Sequence, residues 1–316
     1  METVDFGTTG LRCSRLGLGT VELGLPYGLS KESPPDDAAC IRLLHQAVDG
    51  GVTYIDTAAA YGRSEELVGL AFGGHPSRPL IATKVALRDA AGDPVAAPDQ
   101  PEHVRASVHR SLRLLQTDNL DILQIHSAAD AFLHDELVTT MQGLVDEGIV
   151  GIWGASTYGL EAPADALEEA KLRVLQVAYN VLDRRLEEEL LPKARRQGVA
   201  IVLRSVFLQG VLSDRRRQLP SSMASLARAA DEVALISDQA GLSLSQLALR
   251  YVLFSDVGNV TIVGTAHAQE LAQNLAASTA GPLPSDVVAA LSHVEVEDSE
   301  LLHPSSWPEQ PIPSTR

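Results

Sequence analysis

The chain has 316 residues, 45% hydrophobic and 4% aromatic, with Lys+Arg 25 against Asp+Glu 41 and a formal net charge of −16. That length suits one large barrel of roughly 250 to 300 residues as well as it suits two domains. The negative charge repels phosphate backbones and acidic membranes, and the scarcity of aromatics leaves no stacking surface for bases, so neither nucleic acid nor membrane is an expected partner; a local cationic pocket for a small anion is still allowed.

The N-terminal "VDFGTTGLRCS" reads as a β-hairpin over residues 1–13, with Gly7 to Gly10 as its turn and the floor of a barrel as its place. Strand candidates then follow at 14–20, 52–57, 80–85, 120–126, 151–156, 174–180, 200–206 and 259–264, eight in all. Amphipathic segments lie between them. In "DDAACIRLLHQAVDGG", Ile41, Leu44 and Val48 share a face, and Gly50 and Gly51 supply the stop. In "PEHVRASVHRSLRLLQ", Pro101 takes a first-turn position and Val104, Val108, Leu112 and Leu115 form one stripe. "LEEELLPKARRQG" carries acids early, bases late and Gly198 at its end, which complements a helix dipole. The long connection from Val206 to Asn259 holds extra helix, over 221–240 and 242–254, and the Pro-rich end of the chain, within 299–316, reads as a loop or tail. Strands alternating with helices require parallel crossovers, and the economical closure of eight is a (β/α)8 TIM barrel, one domain over residues 1–316, with extra helices before and after the eighth strand. An open doubly wound sheet is the alternative. It would bind a dinucleotide through GxGxxG, but "GLGTVELG" has Glu22 where the third glycine belongs.

Two cysteines, Cys13 and Cys40, build no disulfide framework, and no CxxC or HExxH pattern supplies a metal site. The first residues lack the basic-then-apolar form of a signal peptide, and no run approaches the ~18 apolar residues of a membrane span, so a cytoplasmic protein is expected.

In a TIM barrel the chemistry sits at the C-terminal ends of the strands. Those ends read Asp56 with Tyr61 in the loop beyond, Lys84, His126, Ser156, Gln176 with Asn180, Arg204 with Ser205, and Gly264 with Thr265. Taken singly, Asp56 is a turn former, Tyr61 a rim aromatic, Lys84 a solvated charge and His126 a structural histidine. Collected at one mouth, they form a site.

"TYIDTAAAYG", "IATK" and "LDILQIH", followed by "GIWGAS", "QVAYN", "RRLEEELLPKARRQGV" and "VGTAHAQELAQNLAA", resemble the aldo-keto reductase family in motif and order, from the hairpin to about Ala277. The resemblance implies a TIM barrel and an oxidoreductase that uses NADP(H) or NAD(H) to interconvert a carbonyl and an alcohol on a small molecule. It also implies a catalytic set of Asp56, Tyr61, Lys84 and His126. The residue types fit that chemistry. Carbonyl reduction leaves an alkoxide that needs a proton, and a phenol of pKa about 10 is a poor acid near neutrality. A nearby ammonium, Lys84, brings the phenol into range, Asp56 orients that ammonium, and His126 adds a hydrogen bond to the phenol or the substrate oxygen.

For the cofactor, Ser156, Gln176 and Thr157 resemble the carboxamide-binding set, with Thr157 where asparagine is common. Arg204 stands in the place of an aromatic that stacks on nicotinamide; it either stacks through its planar guanidinium or binds an anionic substrate. Gly264, Thr265 and Ala266 resemble the phosphate-binding loop, Asn274 faces the adenine, and Gly19, Thr20 and Ser205 complete the set. Where NADP-selective relatives carry a base, this chain has Ala266 and Glu270, so preference for the phosphorylated cofactor is expected to be weak or reversed. "LGLGTVELGLPYG" and "RSVFLQG" are similar to bacterial members acting on sugars and secondary metabolites, which makes a sugar, a cyclitol or a secondary-metabolite intermediate the substrate expectation. Two rival readings use the same barrel: a cofactor-binding redox sensor with little catalysis, and a redox-neutral epimerase with retained cofactor.

Overall fold

The computed structural model describes residues 1–89, 91–127, 134–169 and 171–307. A two-stranded hairpin, β1 (Thr3–Asp5) and β2 (Arg12–Ser14), precedes eight parallel strands: β3 (Leu16–Gly19), β4 (Tyr54–Asp56), β5 (Leu80–Ala86), β6 (Leu120–His126), β7 (Val150–Ser156), β8 (Val174–Ala178), β9 (Ala200–Arg204) and β10 (Val260–Gly264). Each pairs with the next, and β10 closes on β3 through Thr261↔Leu16 and Gly264↔Gly19. The expected TIM barrel is the observed fold.

The hairpin plugs the floor. Phe6 is fully buried there, its ring 5.6 Å from that of Tyr54, and the Thr8 N–H donates to the Gly198 carbonyl. Above it the interior is apolar, with Tyr54, Ala82, Ile122, Ile152, Val174, Val202 and Ile262 packed together. These residues fix which phase of each strand points inward. Because side chains alternate along a strand, the next inward position is two residues on, and it reads Asp56, Lys84, Gln124, Gly154, Gln176, Arg204 and Gly264. One more step on β6 and β7 gives His126 and Ser156. The barrel therefore changes from hydrocarbon at its floor to polar groups at its mouth.

The outer layer comprises α1 (Val21–Gly24), α2 (Asp37–Asp49), α3 (Ser64–Phe72), α4 (Gln100–Leu115), α5 (Asp135–Asp146), α6 (Glu161–Glu168), α7 (Leu190–Arg196), α8 (Ala224–Gln239), α9 (Leu244–Leu253), α10 (Ala268–Ala277) and α11 (Ser285–Ser292). The two helices expected between the seventh and eighth barrel strands are α8 and α9; Ser243 and Gln246 form a reciprocal capping box that starts α9. In α4 the buried stripe includes Val104, Val108 and Leu115, with Leu112 half-buried.

Two local expectations need correction. The buried face of α2 is Cys40, Leu43, Leu44 and Ala47, with Ile41 and Val48 at its edges, because Cys40 and Ala47 complete the stripe that Leu44 begins. α7 starts at Leu190 rather than in the acidic run before it. Pro192 explains this: its missing N–H costs nothing in a first turn, whereas a helix begun earlier would set its ring against a carbonyl of the preceding turn. Residues 308–316 of the expected tail, and 128–133 after β6, lie outside the described residues.

Candidate active site

Asp56 and Lys84 face each other at the tops of β4 and β5, both almost fully buried. Lys84 Nζ donates to Asp56 Oδ2 at 2.5 Å and to the Thr57 carbonyl at 3.0 Å. The other carboxylate oxygen, Oδ1, accepts from Gln176 Nε2 at 2.7 Å, and Gln176 Oε1 accepts from Ser156 Oγ at 3.1 Å. One chain of hydrogen bonds thus links four strands across the mouth. Desolvation pulls the Lys84 ammonium below its usual range, while the adjoining Asp56 carboxylate pushes back. The contact makes a locally neutral pair.

Tyr61 reaches over this pair from the loop after β4. Lys84 Nζ lies 5.0 Å from its ring centroid, and the His126 ring meets it edge-on at 5.5 Å. The loop is held by a close backbone crossing with α1. A Cβ on Gly62, whose φ is +57°, would lie 2.4 Å from the Gly24 carbonyl oxygen, and a Cβ on Gly24 would lie 1.9 Å from that of Tyr61. Glycine after the tyrosine is therefore a packing requirement. Thr20 braces the same region, donating to the Asp56 carbonyl from both its N–H and its hydroxyl while accepting from Ser64 Oγ.

Burial, reinforced by Asp56, raises the Tyr61 phenol above its ordinary range, and the cation that opposes this is Arg204. Lys84, the cation expected to act on the phenol, is in contact with Asp56 beneath the ring. Burial first, then Lys84 and Arg204, push His126 down to about 3, so its imidazole is neutral at physiological pH.

Arg204 Nη2 donates to the Thr157 carbonyl at 2.6 Å, Nη1 to Ser205 Oγ at 3.0 Å, and the guanidinium lies 3.9 Å over the Tyr158 ring. Its Nε is buried without a partner. At the end of β10, Thr265 Oγ1 donates to Glu270 Oε2 at 2.7 Å and Arg215 Nη2 donates to Glu270 Oε1 at 2.9 Å. His267 instead contacts Glu32 at 3.0 Å, away from Glu270.

A cavity of about 380 Å³ opens over this surface, from Tyr61 and His126 at one end to Asn274 and Gln273 of α10 at the other. Gly19, Thr20, Asp56, Ser156, Gln176, Arg204, Ser205, Gly264 and Glu270 also line it. Lys84, Thr157 and Thr265 are buried behind its wall, and Ala266 lines a neighbouring hollow. Lining residues that sequence reading did not single out include Tyr27 and Tyr158 on loops, and Gln209 and Arg215 in short 3-10 turns. The triple arginine in "SDRRRQ", set in an acidic chain, was the signal available for Arg215. Among the described residues no cluster of His, Cys, Asp or Glu could hold a metal ion, and no helix is long and apolar enough to cross a membrane.

The same motifs and the same barrel occur in known proteins. The sequence model of the Aldo/keto reductase family matches residues 15–295. The aldo-keto reductase YhdN of Bacillus subtilis is 32% identical over 218 residues, which cover 67% of this chain and 64% of that relative, just under two thirds of its length. The NADH-specific methylglyoxal reductase of Escherichia coli is 31% identical over 228 residues, 67% of this chain and 69% of that one. Among solved structures, the holo form of an aldo-keto reductase from Bacillus halodurans superposes with a TM-score of 0.78 at 27% identity, covering 93% of this chain and 96% of that one. The glycerol dehydrogenase of Gluconobacter oxydans superposes with a TM-score of 0.75 at 25% identity, covering 92% and 94%.

Proposed function

This chain belongs to the aldo/keto reductase family, and from that premise we propose that it interconverts a carbonyl and an alcohol on a small polar molecule, with a nicotinamide dinucleotide as redox partner and Tyr61 as general acid and base. The observation that carries the reading is the contact of Lys84 with Asp56 directly beneath Tyr61, with His126 edge-on to the same ring.

The donor set supports such a cofactor. Ser156 and Gln176 offer a hydroxyl and an amide side by side, the donor and acceptor types that a carboxamide needs. Gly264 and the N-terminus of α10 offer backbone donors suited to phosphate, and Asn274 lines the far end, where the adenosine would lie. Bound there, the dinucleotide supplies the hydride.

The chain's own groups supply the rest. A carbonyl oxygen between Tyr61 and His126 receives a hydrogen bond from the neutral imidazole and the proton from the phenol as negative charge develops on it. Burial keeps the phenol protonated until then. Asp56 holds Lys84 in place, so the ammonium can stabilise the tyrosinate left behind. The polar rim suits a sugar, cyclitol or secondary-metabolite intermediate, and two similar proteins are named for methylglyoxal and glycerol, both small and oxygen-rich.

Loss of reduced-nicotinamide absorbance against a panel of small aldehydes, ketones and sugars tests the proposal. Turnover by the wild type and none by Tyr61→Phe is expected. A Tyr61→Phe variant as active as the wild type on the same substrate sinks it.

A further inference from the structure

Arg204 is the cation of this cavity that no acid neutralises. Among the described residues it forms no ion pair; its hydrogen bonds go to the Thr157 carbonyl and Ser205 Oγ, both uncharged, and its Nε is buried without a partner. In a chain of net charge −16 an unpaired, half-buried guanidinium facing a cavity is a costly feature. Tyr158 covers one face of the guanidinium at 3.9 Å, which fixes the plane of the group.

The charges around it leave that cation in control of the inner end of the cavity. Asp56 and Lys84 cancel each other in contact, His126 is held neutral, and Tyr61 is held protonated. Glu22 and Glu270 stand at the α10 end, with Arg215 paired to Glu270. Arg204 lines the same cavity as Tyr61 and His126, together with Ser156 and Gln176. A ring that passes hydride to the carbon whose oxygen meets Tyr61 must lie within van der Waals reach of that substrate, and hence in the same field. Oxidised nicotinamide carries a positive charge on that ring; reduced nicotinamide carries none.

We propose that Arg204 makes the site discriminate between the two redox states of its dinucleotide, holding the reduced, uncharged ring more tightly than the oxidised cation. This rests on the function proposed above. Two unit charges a few ångströms apart at the effective dielectric of a protein site shift a binding constant by about tenfold or more.

Dissociation constants for the oxidised and reduced forms of NAD and NADP, measured by calorimetry or by quenching of intrinsic fluorescence, test it without any substrate. The wild type is expected to bind the reduced form more tightly. Arg204→Met is expected to cut the oxidised-to-reduced ratio of dissociation constants by about tenfold, and Arg204→Lys to preserve most of it. Arg204→Gln, which keeps a donor toward the Thr157 carbonyl, reads the same change if the methionine variant does not fold. Equal wild-type affinity for both forms, or a ratio unmoved in a folded Arg204→Met or Arg204→Gln protein, overturns the proposal and leaves the proposed function standing. Binding of no dinucleotide in either form overturns the function as well.

Discussion

Lys84 Nζ lies 2.5 Å from Asp56 Oδ2 and 5.0 Å from the centroid of the Tyr61 ring, so an ion pair sits directly beneath a half-buried tyrosine. Removing either member of the pair therefore has a signed consequence. Lys84→Met leaves the Asp56 carboxylate uncompensated, and that carboxylate already raises the phenol. The variant's pH–rate profile is expected to move upward, with turnover down about 10²-fold or more. Asp56→Asn instead strands a buried ammonium and is expected to cost about 3 kcal/mol or more in a denaturant titration. An active Lys84→Met variant with an unshifted profile would remove the lysine from the mechanism.

Tyr61→Phe deletes one oxygen and leaves the ring packing against His126 in place. The dinucleotide-binding candidates lie on β3, β7, β8, β9, β10, α10 and the residues just after the strands, none of them on the loop that carries Tyr61. Turnover is expected to fall by about 10²-fold or more while the dissociation constant for the reduced dinucleotide changes little. A large loss of dinucleotide affinity in this variant would reassign Tyr61 to binding.

The inner half of the site was legible because a strand has a period of two. Once β4, β5 and β8 are recognised, the inward apolar positions Tyr54, Ala82 and Val174 place Asp56, Lys84 and Gln176 in the same phase one step further on. The outer half was not. Arg215 meets Glu270 and Tyr158 lies under Arg204 through connections that fold back over the mouth. No repeat in the sequence encodes where such loops land. The start of α7 was readable in principle from Pro192, but the acidic run before it imitates a first turn.

His126 offers a pH test that is independent of turnover. Its folded pKa of about 3 lies below the ordinary 6.5, because burial and two cations disfavour the imidazolium. Its contribution to stability is therefore complete above pH 6.5 and is lost as pH falls from there toward 3, where the unfolded chain takes up a proton that the folded site refuses. By about pH 5 the loss is about 2 kcal/mol. Denaturant midpoints of the wild type and of His126→Phe, compared between about pH 7.5 and about pH 5, are expected to converge by that amount. Parallel pH dependences in the two proteins would mean that the folded imidazole titrates freely.

The choice of dinucleotide turns on Glu270. Its carboxylate accepts from Thr265 Oγ1 at 2.7 Å and from Arg215 Nη2 at 2.9 Å, so the guanidinium beside it is already committed to an acid. A 2′-phosphate placed here meets a carboxylate and an engaged guanidinium, whereas a plain ribose hydroxyl can donate to the same carboxylate. His267, the other base nearby, is turned toward Glu32. The wild type is therefore expected to favour NADP(H) weakly or to favour NAD(H). Glu270→Arg removes the acid, frees Arg215 and adds a second cation, which should tighten NADP(H) by about tenfold or more relative to NAD(H). Glu270→Gln removes the charge without adding one and should lie between the two. Dissociation constants for both reduced cofactors in the three proteins decide the matter. A strong wild-type preference for NADPH that neither substitution alters would place the 2′-position away from Glu270 and transfer the selection to another part of the cavity.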